Sequence, residues 1–337
     1  MGLFAPVAAY LGARLGTRRA MTIALALIGL FGILRAIAPS AWLVILLTWP
    51  VGIGMGLGNA LAPLVVRETV PDRPATGTGV YTTGIQLGST VAAALAVPIA
   101  AVLGGWRGAL IAFSLGSCVV AVAWVVLERG GVPHERPPRL VPRLPWRSRT
   151  AWLLAAIFGS MASAYYGLNA WLPDAYGERG WSEESAGILL AGMNLTAIPA
   201  SFLVPWLSDR HGGRRPWLAT MSLVFVTGGV GLVAFPAAGY LWALLAGISQ
   251  GGMFALVMTL PLDLEERRER VAALVGLMLG VGYTVGAVSP FVLGAVRDLT
   301  GSFDAVLWVC AGFLALLCVL VRLVPRRAAG QLEQVSG

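Results

Sequence analysis

The feature that most limits the fold of this chain is a succession of long apolar runs with almost no charged residues. Each run has about 20 residues, the length that a helix needs to cross the hydrocarbon core of a bilayer. The runs lack the alternation of membrane β-strands, so helices are the structure that satisfies the backbone in lipid. The sequence predicts an all-α membrane protein with about ten full transmembrane helices plus a partial N-terminal one. The ten runs are residues 21–38, 41–66, 80–103, 107–127, 151–173, 186–207, 217–235, 241–262, 272–296 and 305–324.

The composition excludes the ordinary soluble classes. Hydrophobic residues make up 57% of the 337 residues and charged residues only 12%, against about 25% charged in a typical soluble domain. The formal net charge is +8, and every basic side chain other than histidine is an arginine. Because the arginines lie in short clusters between apolar runs, they indicate membrane topology rather than nucleic-acid binding. We therefore expect no nucleic-acid partner.

The arginines are distributed unequally between the two alternating sets of inter-span segments. Twenty of the 24 lie in one set, which includes residues 14–19, 129–149 and 210–215, and four lie in the other. An excess of basic residues marks the cytoplasmic side of a membrane protein. The sequence therefore predicts a multi-pass protein of the bacterial inner membrane with a cytoplasmic C-terminus.

The longest polar stretch divides the chain in two. Residues 128–150 are rich in proline and arginine and have no apolar period, which is typical of an extended linker. The predicted parts are an N-terminal helix bundle at 1–128, a cytoplasmic linker at 129–149, a C-terminal bundle at 150–327 and a cytoplasmic tail at 328–337.

An internal repeat relates the two predicted bundles. Residues 52–100 align with 247–295 without a gap, which places Gly52 on Gly247. Spans and arginine clusters keep the same register, and parallel repeats of six helices are a known transporter architecture. The same offset places the counterpart of the helix that begins near residue 150 upstream of this sequence. We therefore expect the N-terminal bundle to be truncated and to hold helices two to six.

Two arginine-rich turns, at residues 12–19 and 208–215, resemble the D-R-x-G-R-R loop of the major facilitator superfamily. Asp209 occupies the acidic position of the second turn, and Ala13 replaces it in the first. In that family the loop joins neighbouring helices on the cytoplasmic side and takes part in conformational switching. The resemblance assigns this role to Arg14, Gly16, Arg18, Arg19, Asp209, Arg210, Gly212, Arg214 and Arg215. The alternative is that these arginines only anchor the topology.

The order of several short segments resembles the cyanate permease and nitroimidazole transporter (CynX/NimT) branch of that superfamily. The segments are residues 2–6, 165–166, 171–173, 186–187, 198–199 and 205–210. The resemblance implies the major facilitator fold, with twelve helices in two pseudo-symmetric bundles. It also implies secondary active transport of a small anion or a nitroheterocycle by alternating access around a central cavity. Drug antiporters of the superfamily carry an arginine in the fourth helix, which 41–66 lacks, and this disfavours drug antiport.

Polar side chains within the spans are the candidates for substrate contacts, because such groups are costly in lipid. They are Asn59, Tyr81, Gln86, Tyr165, Tyr166, Asn169, Asn194, Gln250, Tyr283 and Thr284. Four of them lie on helices that line the cavity in the family, and the resemblance therefore favours Asn59, Tyr166, Asn169 and Gln250. Each candidate could instead make a hydrogen bond between helices and bind nothing. Trp49 is a further cavity candidate, and Trp171 is predicted at the outer interface.

The sequence predicts no catalytic residue, no metal site and no cofactor. No phosphate-binding loop occurs, and the acidic residues lie in polar segments rather than in a cluster at a span edge. The predicted function is secondary transport by a monomer, with a small solute and the lipid bilayer as partners. A coupling proton stays open as a partner, although no span centre carries a carboxylate to relay it. The alternatives are a drug or metabolite exporter and a non-transporting truncated remnant.

Overall fold

The computed structural model describes residues 11, 14–70, 72–129, 144–211 and 213–325, and the described chain is helical throughout apart from short connections. Helices α1 to α4 are Thr17–Ala36, Ala41–Thr69, Pro74–Val102 and Trp106–Arg129. Helices α5 to α10 are Arg149–Glu178, Glu183–His211, Arg214–Ala234, Gly239–Leu264, Arg268–Thr300 and Phe303–Arg322. Each predicted run overlaps one of these helices. Within the described part of the chain, nine helices have the length and apolar composition to cross a membrane.

The helices extend beyond the apolar runs at their polar ends, so the two arginine-rich turns are shorter than predicted. Thr17 to Arg19 form the first turn of α1, after Gly16 with a φ of 85°. Asp209 and Arg210 end α6, and α7 begins at Arg214. Gly212, the residues before Leu11, most of the predicted linker and the predicted tail lie outside the described residues. We call the end of the molecule that carries these arginines the arginine-rich end, and the other the opposite end.

The helices pack in two groups. In the first group, α1 packs against α2 and α4. In the second group, α5 packs against α9 and α10, and α8 packs against α6 and α7. Helix α3 of the first group packs most extensively against α6 of the second, and α2 contacts α9. The α3–α6 packing is therefore the main contact between the groups.

Burial differs between the helices in a way that suits a bilayer. Helices α5 and α8 bury most of their length, with Met253 and Val257 fully inaccessible. Large apolar side chains such as Trp42, Val119 and Phe291 are exposed on the outside of the molecule. Water would solvate such a surface poorly, whereas lipid tails are as apolar as leucine. The exposed faces are therefore expected to contact lipid.

Helices α6 and α8 approach each other closely at two glycines one turn apart. A Cβ added at Gly247 would overlap the carbonyl oxygen of Met193, and one at Gly251 would overlap that of Ala197. Small residues allow membrane helices to pack at backbone distance, where dispersion contacts accumulate. This packing holds the Ala197 carbonyl in a fixed position within the second group.

Arg179 ties three helices of the second group together at the opposite end. Its Nη2 lies 2.6 Å from Oδ1 of Asp304, at the start of α10. Its Nη1 donates to the carbonyl of Leu232 at 2.7 Å, in the last turn of α7. The guanidinium also lies 5.1 Å from the ring centre of Tyr176. A cation at a helix C-terminus satisfies carbonyls that have no partner within the helix.

Replacing Arg179 with alanine is expected to lower the free energy of unfolding by about 2 kcal/mol, because charge-assisted hydrogen bonds to carbonyls are lost. The measurement is the thermal midpoint of the purified protein in detergent, which should fall by about 3 °C. Arg107→Ala is the matched control, because Arg107 is exposed at the same end and packs on the Trp106 ring. An equal fall in both variants would contradict the assignment.

Candidate functional site

A cavity of about 510 Å³ lies between the two helix groups. It is bounded by α2 and α3 on one side and by α5, α8 and α9 on the other, and its volume suits a small ligand. The lining residues are Met55, Asn59, Ile85, Gln86, Ser89, Phe158, Met161, Ala162, Tyr165, Tyr166, Gln250, Phe254 and Tyr283. None of these described residues carries a formal charge, so the polar contacts that they offer are those of amides and hydroxyls.

Aromatic rings form much of the wall on the side of the second group. Phe158 meets Tyr283 edge-on with ring centres 4.9 Å apart, and it lies 6.2 Å from Phe254. Tyr165 and Tyr166 are neighbours with ring centres 5.4 Å apart. Such rings offer apolar contact area and favour offset or edge-on contact with another flat ring. The cavity therefore has the surfaces to hold a planar molecule.

Gln250 is a cavity-lining residue whose amide oxygen is buried without a partner. The residue is 7% exposed, and its Oε1 atom has no hydrogen-bond partner among the described residues. A buried amide oxygen left without a partner costs about 1–3 kcal/mol. The Oε1 atom is itself buried, so a ligand N–H or O–H would reach it, and remove that cost, once the carboxamide turned toward the cavity.

Asn169 and Asn194 do not line the cavity, and they form a hydrogen-bonded chain with Tyr165. The Tyr165 hydroxyl donates to Oδ1 of Asn194 at 3.2 Å, and Nδ2 of Asn194 donates to Oδ1 of Asn169 at 3.0 Å. Nδ2 of Asn169 donates back to the Tyr165 carbonyl at 2.9 Å. The two asparagines thus make hydrogen bonds between α5 and α6, which is the alternative to a substrate contact. They also hold the Tyr165 phenol, which faces the cavity.

The remaining candidates are also placed away from the cavity lining. The Tyr81 hydroxyl is buried and has no hydrogen-bond partner among the described residues. Thr284 donates to the Gly280 carbonyl of its own helix. Trp49 is exposed, and it is not part of the lining. The Trp171 indole is half-buried and donates to the Pro290 carbonyl at 3.1 Å, so it joins α5 to α9.

Sequence reasoning missed Ser89 and the apolar lining residues. Polarity within a span was the signal for candidates, and apolar side chains carry no such signal. Helical spacing could have found several of them, because residues three or four apart share a face. Met55 lies one turn from Asn59, Ser89 one turn from Gln86, and Phe254 one turn from Gln250.

A network around Asp209 joins the two groups at the arginine-rich end. Its Oδ2 accepts from the backbone N–H of Thr76 at 2.6 Å and from the Thr76 hydroxyl at 2.7 Å, in the first turn of α3. Its Oδ1 lies 2.7 Å from Nη1 of Arg214, and Nε of Arg214 lies 2.8 Å from Oδ2 of Asp263. A carboxylate is favourable at a helix N-terminus. Nearby, Nη1 of Arg67 donates to the Glu265 carbonyl at 3.2 Å.

Contacts between α3 and α6 continue from this network to the edge of the cavity. We call this line of contacts, from Thr76 and Asp209 to Gln86 and Ala197, the seam. The hydroxyls of Thr83 and Ser201 lie 2.8 Å apart. One turn nearer the cavity, Nε2 of Gln86 donates to the Ala197 carbonyl at 3.2 Å. The two groups are therefore joined between the cavity and the arginine-rich end.

Three other candidates for a switching role, Arg18, Arg210 and Arg215, make contacts within their own group. The Arg18 carbonyl accepts from the Trp124 indole at 3.3 Å, within the first group. Arg210 packs on the Trp206 ring at 4.5 Å, and Arg215 donates to the Arg322 carbonyl at 2.7 Å. Across the described residues, no three histidine, cysteine or acidic side chains are placed to hold a metal ion.

The Major Facilitator Superfamily model matches residues 1–287 and, in a second overlapping match, residues 175–336. The chain belongs to this superfamily. It is a multi-pass membrane protein, and curated relatives that match it are named as transporters. The match confirms the superfamily that the arginine-rich turns and the short segments indicated.

Curated relatives match over most of the chain. The 2-nitroimidazole transporter of Escherichia coli is 30% identical over 96% of this chain and 83% of its own length. The cyanate transport protein CynX of the same organism is 27% identical over 90% of this chain and 79% of its own length. The uncharacterized transporter YycB of Bacillus subtilis is 27% identical over 98% of this chain and 80% of its own length.

Solved structures support the fold. The Escherichia coli fucose:proton symporter FucP gives a TM-score of 0.80 over 97% of this chain and 88% of that chain, at 15% identity. The proton:xylose symporter XylE gives a TM-score of 0.72 over 95% of this chain and 83% of that chain, also at 15% identity. At this level of identity the likeness shows the major facilitator fold alone.

Proposed function

We propose that the protein is a secondary transporter of the bacterial inner membrane that works by alternating access, with the arginine-rich end and the C-terminus in the cytoplasm. The moving bodies are the predicted bundles at 1–128 and 150–327, joined by the linker at 129–149, and the chain acts as a monomer. Superfamily membership and a central cavity between two helix groups support this mechanism. The excess of arginine supports the orientation.

The substrate that best fits the cavity is a neutral, planar heterocycle with an N–H donor. The observation that carries this proposal is the unpartnered Oε1 of Gln250 beside an aromatic wall without formal charge. A bare anion would lose its hydration there and would meet no cation among the described lining residues. The nitroheterocycle alternative of the sequence analysis is therefore favoured over the small anion, and 2-nitroimidazole, the named substrate of one relative, is the first compound to test.

The switching role of the two arginine-rich segments remains part of this proposal. It is better supported for Asp209, which bonds Thr76 of the first group, and for Arg214, which pairs with Asp209, than for Arg18, whose contact with Trp124 lies within the first group. For Arg14, Gly16 and Arg19 the role stays a prediction. A coupling proton is proposed by analogy with FucP and XylE, which are named as proton symporters. Its test is whether an imposed pH gradient drives substrate accumulation.

The experiment is counterflow of labelled 2-nitroimidazole in proteoliposomes that contain the purified chain, with protein-free liposomes as the background. Flux that unlabelled 2-nitroimidazole inhibits and cyanate does not would support the neutral-heterocycle proposal. Inhibition by cyanate alone would favour the small-anion alternative. Flux of lipophilic drugs would favour an exporter, and no flux of any compound would favour the non-transporting remnant.

Replacing Gln250 with alanine is expected to weaken 2-nitroimidazole binding by about tenfold, because one buried hydrogen bond to the ligand is lost. Equilibrium binding to the purified protein measures the effect. Thr284→Val is the matched control, because Thr284 is a polar residue on a neighbouring helix whose hydroxyl donates to the Gly280 carbonyl of that same helix. Unchanged binding in Gln250→Ala would contradict the role of this acceptor.

A further inference from the structure

Gln86 is a cavity residue that also holds the two helix groups together. Its side chain lines the cavity from α3, and the Nε2 atom donates to the Ala197 carbonyl of α6 at 3.2 Å. This hydrogen bond is the member of the seam that lies next to the cavity. A ligand in the cavity can therefore reach a group that also closes the seam.

The acceptor of this hydrogen bond cannot follow Gln86 if the glutamine moves. The Ala197 carbonyl lies against the backbone of α8 at Gly251, where a Cβ would overlap it. Helix α3 also packs closely against α6 nearer the arginine-rich end, since a Cβ at Gly79 would lie 2.9 Å from Cγ of Pro205. The carboxamide is the adjustable part of this contact, because its side-chain torsions can change while both backbones stay in place.

We propose that Gln86 is the positioning residue that couples substrate occupancy to opening of the seam. This inference rests on the proposed transport function. A heterocycle with an acceptor group, such as a nitro oxygen, attracts the Nε2 hydrogens of Gln86, and it competes with the Ala197 carbonyl when the carboxamide must turn to reach it. Rotation of the carboxamide toward the ligand removes the seam's hydrogen bond next to the cavity. The ligand then binds more favourably when the seam is open, and such a difference in affinity is what shifts a two-state equilibrium.

The chain offers a matched control one turn along α3. Thr83 contributes to the seam through the Ser201 hydroxyl at 2.8 Å, but it is not part of the cavity lining. Gln86→Ala removes both the seam bond and the ligand contact, whereas Thr83→Val removes a seam bond alone. Both variants should loosen the seam, and only Gln86→Ala should lose the response to ligand.

The test measures the labelling rate of a single cysteine at Ala75, a fully buried position beside Thr76 at the arginine-rich end. Cys118, Cys310 and Cys318 are first replaced with alanine, and inside-out vesicles are treated with a membrane-impermeant maleimide, with and without 2-nitroimidazole. In the parent protein, the ligand is expected to raise the rate by about fivefold, the equivalent of one hydrogen bond. Gln86→Ala should react about fivefold faster than the parent without ligand and should show no further rise. Thr83→Val should start fast and still respond.

Ligand binding is measured in parallel for all three proteins by thermal shift. A ligand-free rate in Gln86→Ala equal to that of the parent would overturn the inference, as would a ligand-induced rise that survives in this variant. Absence of 2-nitroimidazole binding to the parent would contradict the proposed substrate instead. The ligand-free rates of the two variants would still decide whether Gln86 holds the seam.

Discussion

Replacing Asp209 with asparagine is expected to reduce substrate flux by about tenfold or more while the amount of protein in the membrane stays unchanged. The Asp209 side chain is 11% exposed, and its two oxygens face different partners. Oδ2 accepts from the N–H and the hydroxyl of Thr76, and Oδ1 faces Arg214. An amide has one acceptor oxygen and an NH₂ group, so in either orientation a donor faces a donor. We therefore expect the seam to open at the arginine-rich end without substrate, so that its opening is no longer coupled to transport.

The measurement is the initial rate of counterflow, normalised to the amount of protein that is reconstituted. Glu266→Gln is the matched control, because it removes one negative charge from an exposed side chain at the same end. That variant should retain parental flux, since the Glu266 side chain makes no contact that joins the groups in the described network. Full flux in Asp209→Asn would mean that the charge of Asp209 has no part in the transport cycle.

The polar part of the cavity was largely accessible from the sequence, because an uncharged amide within a span has a high cost in lipid and so attracts attention. Asn59, Gln86 and Gln250 carry that signal and line the cavity. Asn169 and Asn194 carry the same signal, but they satisfy each other across two helices. A single sequence gives no information on that pairing, because it depends on how α5 and α6 rotate against each other.

The seam was less accessible, since its contacts join residues that are distant in the sequence. Thr76 and Asp209 are separated by 133 residues, and no periodicity connects them. The family resemblance singled out Asp209 as a switching residue, but not its partner. The orientation of the helices at the arginine-rich end brings a carboxylate of α6 to the N-terminus of α3, and only the folded arrangement provides this.

The internal repeat makes a prediction that the structure qualifies. It places Gly52 of α2 on Gly247 of α8, so the two glycines should tolerate substitution equally if the repeat alone decided their packing. A Cβ at Gly247 would overlap the Met193 carbonyl, which belongs to the backbone of α6. A Cβ at Gly52 would meet no described atom within 4 Å. The same position in the repeat therefore has a close helix contact in the second group alone, among the described residues.

Gly247→Ala is accordingly expected to lower the free energy of unfolding by about 3 kcal/mol, because the added methyl must push two helix backbones apart. The thermal midpoint in detergent should fall by about 4 °C. The counterflow rate should fall with it, because α8 carries Gln250 into the cavity wall. Gly52→Ala is the matched control, and it should be neutral or slightly stabilising, since alanine is the better helix former. An equal fall in both variants would mean that the repeat, and not the local approach of α6 and α8, determines the packing at these positions. A fall in Gly247→Ala alone would mean that the close packing that fixes the Ala197 carbonyl is a property of the second group.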